Sequence, residues 1–154
     1  MAARLVAQAD ALKLAGRRIS GERLHLTLAF LGAVNADVMQ QLCASAADIR
    51  APAFTLRLDQ VGYFARPGIA WFGPSHVPTA LTQLSSAVAA LAPEHSRHLS
   101  FQAHVSIARA VPRPSLQARI TPIDWPVREF CLFESGHGGR AGAYRCVGCW
   151  SLWS

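Results

Sequence analysis

The chain has 154 residues, 51% of them hydrophobic, which is enough to build a core in one domain without disulfide or metal support. Only 16% are charged, yet the balance is a net +6, which favours polyanionic partners such as RNA or nucleotides. The N-terminal apolar pattern is interrupted by Asp10 and Lys13, and the apolar run Ala80 to Ala92 is too short to cross a bilayer, so neither a signal peptide nor a membrane span is expected and a cytoplasmic location is.

From Ala3 to Ala15, Leu5, Val6, Ala9 and Leu12 fall at helical spacing, and Gly16 with Arg17 and Arg18 marks the end of that helix. Leu24 to Leu31 alternates as a strand, Ala36 to Ile49 reads as a helix capped by Asn35, and Ala53 to Val61 reads as a strand burying Phe54, Leu56 and Leu58. Arg66-Pro67-Gly68 predicts a turn, followed by a return strand from Ile69 to Phe72, an Ala-rich helix from Thr79 to Leu91 and a strand from Ala103 to Ala108. Pro112 and Pro114 break the chain into a loop, after which Val127 to Phe133 and Tyr144 to Trp150 predict two strands joined by a glycine-rich segment, Gly136 to Gly142. No linker divides the chain, so a single domain over residues 1–154 is expected. A weak internal repeat nonetheless places Leu24-His25-Leu26-Thr27-Leu28 after one helix and Ala103-His104-Val105-Ser106-Ile107 after another, which suggests two similar lobes facing across a cleft.

In an extended strand alternate side chains share a face, so His25 and Thr27 lie together, opposite Leu24, Leu26 and Leu28. His104 and Ser106 repeat the arrangement against Val105 and Ile107. Two imidazoles suit phosphodiester hydrolysis, in which one neutral ring takes a proton from water and one protonated ring gives a proton to the leaving oxygen. The hydroxyls of Thr27 and Ser106 can donate to non-bridging phosphate oxygens, and Arg109, five residues after His104, can stabilise the charge on them. This scheme calls for no metal and no cofactor. One His-x-Ser/Thr tripeptide carries little weight, since His98-Leu99-Ser100 matches it outside any strand pattern; two copies in alternating apolar strands carry much more.

Tyr63, Phe64 and Trp71 surround the predicted turn; Phe64 is the candidate to stack on a base, and Arg66 the candidate for a further phosphate contact. His137 and Arg140 fall in the glycine-rich segment and read as solvated loop residues, while His76, His95 and His98 suit the surface. The four cysteines, Cys43, Cys131, Cys146 and Cys149, are expected as free thiols. Cys146 and Cys149 form a C-x-x-C, but on a strand positions three apart face opposite sides, so neither zinc nor redox use is expected of them.

Leu24-His25-Leu26-Thr27-Leu28-Ala29-Phe30-Leu31-Gly32 and His104-Val105-Ser106-Ile107-Ala108-Arg109 resemble the paired motifs of the two-histidine phosphoesterases, in particular the RNA 2′,3′-cyclic phosphodiesterases once called 2′-5′ RNA ligases. The resemblance extends to Phe54–Leu58, Gly62–Gly73, Phe133–Ser135 and Tyr144–Trp150, nearly the whole chain. It implies a bilobal α+β fold of two pseudo-symmetric antiparallel sheet lobes with outer helices around a central cleft. It also implies metal-independent hydrolysis of RNA 2′,3′-cyclic phosphate ends to 2′-phosphates, with weak reverse 2′-5′ joining. His25 and His104 inherit the catalytic roles, and Thr27, Ser106 and Arg109 inherit phosphate binding. Serine at position 106 stands where threonine is commoner and keeps the hydroxyl. Family members usually open with an apolar strand before the first helix; this sequence begins at that helix, which leaves monomer and homodimer both open as expectations. Two alternatives remain: a related enzyme for a nucleotide or ADP-ribose cyclic phosphate, and a non-catalytic RNA-binding module.

Overall fold

A computed structural model of the chain describes residues 1–93, 101–112, 120–136 and 144–153. The chain is α+β, and its contacts divide it into two compact units, each assembled from three separate segments.

The first unit comprises Met1–Thr27, Thr55–Pro78 and Phe101–Trp125. It contains helix α1 (Ala2–Ala11) and strands β1 (Arg17–Arg18), β3 (Gln60–Phe64), β4 (Ile69–Gly73) and β5 (Val105–Arg109), which form an antiparallel sheet in the order β1-β5-β4-β3. Strands β2 (Phe54–Leu58) and β6 (Ile123–Val127) pair separately, with Arg57 Nη1 donating to Asp124 Oδ1 at 3.1 Å on their exposed side. Leu58, Ala70, Phe72, Val105, Ile107, Ala108 and Ile123 are fully buried, and Leu5 and Ala9 of α1 are buried as well. Arg18 ties the end of α1 to the sheet: its guanidinium donates to the carbonyl of Ala9 and, at 2.8 Å, to Asp10 Oδ1. A cation at a helix C-terminus meets the carbonyls that the last turn leaves unpaired.

The second unit comprises Leu28–Phe54, Thr79–Ser100 and Pro126–Ser154. Helices α2 (Ala36–Ala47) and α3 (Thr79–Ala90) accompany the antiparallel hairpin of β7 (Glu129–Ser135) and β8 (Tyr144–Ser151). Its core joins Ala46, Ala51, Leu84, Phe130 and Leu152, with Leu28, Val88 and Trp150 packed against them. Asn35 caps α2 as its sequence position predicts, its side chain accepting from Val38 N at 2.9 Å.

Several boundaries differ from the sequence reading, each for a local reason. Helix α1 stops at Ala11 rather than Ala15 because Lys13 takes a φ of 47°, which no helix continues through. The strand expected over Ala53 to Val61 breaks at Asp59, whose carboxylate accepts from the backbone and the hydroxyl of Ser75, both at 2.6 Å, and so fixes a corner between β2 and β3. Leu24 to Leu31 forms no continuous strand; Leu26 makes one antiparallel bridge to Val105, and from Leu28 the chain belongs to the second unit, where Ser85 Oγ donates to Leu28 O at 2.9 Å. Strand β6 was not expected, because Pro122 and Pro126 flank and enter it; in a two-stranded sheet every strand is an edge, where proline is tolerated.

The expectation of four free thiols is corrected for two of them. Cys131 and Cys149 are disulfide-bonded, with Cα atoms 4.1 Å apart, because β7 and β8 pair in a register that sets them directly opposite. Cys43 and Cys146 are the free ones. The statement that Cys146 and Cys149 face opposite sides is corrected too. Leu132 pairs with Gly148 but Phe133 with Cys146, so Val147 is an extra residue in β8, and this bulge returns Cys146 to the face that carries Cys131 and Cys149.

Candidate functional site

The Leu26–Val105 bridge puts the two histidine motifs side by side in the first unit rather than one in each unit. Antiparallel register then sets Thr27 beside His104 and His25 beside Ser106, on the face opposite Leu26 and the fully buried Val105. A half turn about the centre of that bridge exchanges His25 with His104 and Thr27 with Ser106. The internal repeat legible in the sequence is this local two-fold relation.

The imidazoles obey it in their hydrogen bonds. His25 Nδ1 lies 2.7 Å from the carbonyl oxygen of Arg23, and His104 Nδ1 lies 2.8 Å from that of Gln102, in each case two residues upstream. A carbonyl only accepts, so both Nδ1 atoms donate, and in the neutral ring the lone pair resides on Nε2. Both rings are thereby held in one orientation and one tautomer. His25 is exposed, whereas His104 is half-buried, with the Phe64 ring edge-on at 5.0 Å between centroids and the Trp71 ring at 6.2 Å.

Strand register identifies what else shares this face. Trp71 is opposite Ser106, Gly62 is opposite Trp71 and Phe64 is opposite Ile69, so His104 looks onto a wall made by Phe64 and Trp71, whose rings are 5.4 Å apart. The wall depends on Gly62: a Cβ there would lie 1.9 Å from Trp71 Cζ2. Trp71 Nε1 is buried without a hydrogen-bond partner among the described residues. Tyr63 points the other way, its hydroxyl donating to Val111 O at 2.8 Å, and serves the scaffold.

Arg109 reaches the site by a route that simple alternation hides. Five residues from His104, a regular strand would place it on the opposite face. However, Ala70 pairs with Ala108 and Trp71 with Ser106, so Ile107 is an extra residue in β5, and the resulting bulge brings Arg109 onto the face of Ser106 and Trp71. Arg17 of β1 is directly opposite Arg109 and shares that face. Sequence reasoning used Arg17 only as a helix-end marker; its signal is the Gly16-Arg17-Arg18 step, where alternation sends Arg18 to Asp10 under the sheet and Arg17 to the site. Arg66 lies in the exposed turn between β3 and β4, next to the site's edge at Phe64. His76 is exposed, as expected, while His95, His98, His137 and Arg140 lie outside the described residues.

The face therefore gathers two oriented imidazoles, two hydroxyls, two guanidinium groups and an aromatic wall, which is a donor-rich surface suited to a phosphate bearing a flat base. A model of the 2′-5′ RNA ligase superfamily matches residues 2–139. The RNA 2′,3′-cyclic phosphodiesterase of Escherichia coli K12 is 32% identical over 147 residues, spanning 90% of this chain and 81% of its own. Among solved structures, E. coli LigT complexed with ATP superposes with a TM-score of 0.85 at 30% identity, covering 98% of this chain and 91% of that one. E. coli LigT complexed with 3′-AMP gives a TM-score of 0.82 at 29% identity, covering 99% and 93%.

Proposed function

Since the chain belongs to the 2′-5′ RNA ligase superfamily, a family of enzymes, we propose that it hydrolyses 2′,3′-cyclic phosphate ends of RNA to 2′-phosphates, with His25 and His104 as the general acid and base. The observation that carries the reading is the two-fold pair of His-x-hydroxyl motifs, with each Nδ1 held by a carbonyl so that Nε2 is the lone-pair nitrogen of each neutral ring. One neutral Nε2 removes a proton from the attacking water. The other, protonated, delivers a proton to the ribose 3′-oxygen as its bond to phosphorus breaks. Thr27 and Ser106 donate to the non-bridging oxygens, and Arg109 with Arg17 balances the charge that grows on them in the transition state.

Phe64 supports a base by stacking, with Trp71 behind it, and Arg66 contacts a neighbouring phosphate. The naming of the E. coli relative and the nucleotides held by LigT support a nucleotide-bearing cyclic phosphate as substrate. With an RNA 5′-hydroxyl in place of water as the nucleophile, the same two histidines join a 2′,3′-cyclic phosphate end to it in a 2′-5′ linkage, the 3′-oxygen leaving as before. No metal enters this scheme, since a fixed base, a fixed acid and cationic side chains supply each of its needs.

The test is product analysis of an oligoribonucleotide ending in a 2′,3′-cyclic phosphate, incubated with chelator. Wild type is expected to yield a 2′-phosphate with a bell-shaped pH profile. His25→Ala and His104→Ala should each lose about a hundredfold to ten-thousandfold in rate, and the double variant little more than either. Turnover that survives loss of either histidine, or a 3′-phosphate product, would refute the scheme.

A further inference from the structure

A second cluster of reactive side chains lies in the other unit, on residues that the phosphate chemistry does not use. Along β7, Cys131 and Phe133 share the face opposite Phe130, which is buried against Trp150. Across the hairpin Cys149 meets Cys131 in the disulfide, and the Val147 bulge adds Cys146 to the same face, its Sγ 3.5 Å from that of Cys149. All three sulfurs lie within 4.8 Å of one another; Cys146 and Cys149 are exposed and Cys131 is half-buried.

A cross-strand disulfide needs two cysteines and no bulge. The third sulfur, brought in by an extra backbone residue, completes a different geometry. Tetrahedral zinc binds thiolates at about 2.3 Å, which separates adjacent sulfurs by roughly 3.8 Å, between the 3.5 Å that parts Cys146 from Cys149 and the 4.8 Å that bounds all three. Three sulfurs on a paired hairpin form a half-built shell with one side open to solvent, the coordination pattern in which a fourth ligand is exchangeable.

We propose that Cys131, Cys146 and Cys149 form a redox-gated thiolate site for one thiophilic cation of the Zn2+ class. In the oxidised protein the Cys131–Cys149 bond withholds two of the three ligands. A dithiol reductant opens it: one of its thiolates attacks a sulfur of the pair, and its second thiol displaces the resulting mixed disulfide. Two electrons pass to the protein sulfurs, the reductant leaves as its own disulfide, and Cys131 and Cys149 become thiols. Binding of the cation then releases three thiol protons to solvent as three sulfur–metal bonds form.

The experiment uses the full chain and Co2+ as the probe. Protein reduced with dithiothreitol and desalted without oxygen is titrated with Co2+, followed by thiolate-to-metal charge-transfer absorption, and the cysteines that remain open to alkylation are counted by mass. Reduced wild type is expected to bind one equivalent and to protect three cysteines, leaving Cys43 open. Untreated protein should show no charge-transfer band. Cys146→Ser should weaken binding at least about tenfold, and Cys43→Ser should match wild type. Protection of fewer than three cysteines in reduced wild type, a reading that requires no variant, overturns the site. So does Co2+ affinity unchanged by Cys146→Ser, or formation of a Cys146–Cys149 disulfide in place of metal binding.

Discussion

Arg17 and Arg18 are neighbours in sequence, yet the pleat gives them separate work. Arg18 turns under the sheet to Ala9 and Asp10, while Arg17 stands opposite Arg109 on the histidine face. Their substitutions should therefore separate. Arg17→Ala and Arg109→Ala are expected to lower kcat/KM for a cyclic-phosphate substrate about tenfold to a hundredfold, with unfolding midpoints close to wild type. Arg18→Ala should do the reverse, costing about 1 kcal/mol of stability with turnover retained. Steady-state kinetics beside denaturant titration of the three variants checks the face assignment. The histidine and hydroxyl positions were legible because period-two alternation is a local property. The site position of Arg109 was legible only as a distance along the chain; the bulge that turns it to the right face leaves no mark in residue type.

Elements were legible where capping or turn chemistry marked them. Asn35 announces α2, and Arg66-Pro67-Gly68 announces the hairpin of β3 and β4, with Gly68 at a φ of 78°. The corner at Asp59 was missed because its cause is a partner sixteen residues away. Ser75 donates twice to this carboxylate, from its hydroxyl above all, and holds its pKa below the ordinary 3.8 of an aspartate. A carboxyl whose folded pKa is lowered stabilises the fold above its unfolded value, and that contribution fades as the pH falls through the folded value. Ser75→Ala should accordingly lose about 0.5–1 kcal/mol at neutral pH, and the gap to wild type should narrow as the pH drops below about 4. Urea unfolding of both proteins at pH 7 and pH 3 measures it. An undiminished gap in acid would mean that the hydroxyl acts through packing instead.

At the scale of the molecule, the α+β class followed from the alternation of periodicities, and no helix among the described residues is long and apolar enough to cross a membrane. Two lobes were expected from the internal repeat and the resemblance, but where the chain divides was not legible, because each unit draws on three separated segments. The disulfide was hidden similarly: pairing of Cys131 with Cys149 is a matter of hairpin register, which spacing alone does not determine. A net charge of +6 is, by contrast, a property of the whole chain and acts at long range. For an oligoribonucleotide carrying the cyclic phosphate, kcat/KM is expected to fall as salt rises, and to fall less steeply for a cyclic mononucleotide. Parallel slopes for the two substrates would confine recognition to the terminal nucleotide.

The half turn that relates the two motifs has a bearing on direction. A scaffold that looks the same to both histidines cannot by itself tell donor from acceptor, so polarity has to come from the surroundings. The surroundings do differ, since Phe64 and Trp71 shelter His104 while His25 is exposed. Under the proposed mechanism the aromatic wall would act as a compass as well as a platform: by setting which way round the nucleotide lies, it would set which ring meets the water and which meets the departing oxygen. Moving that wall to the other histidine would exchange their duties while leaving both in place.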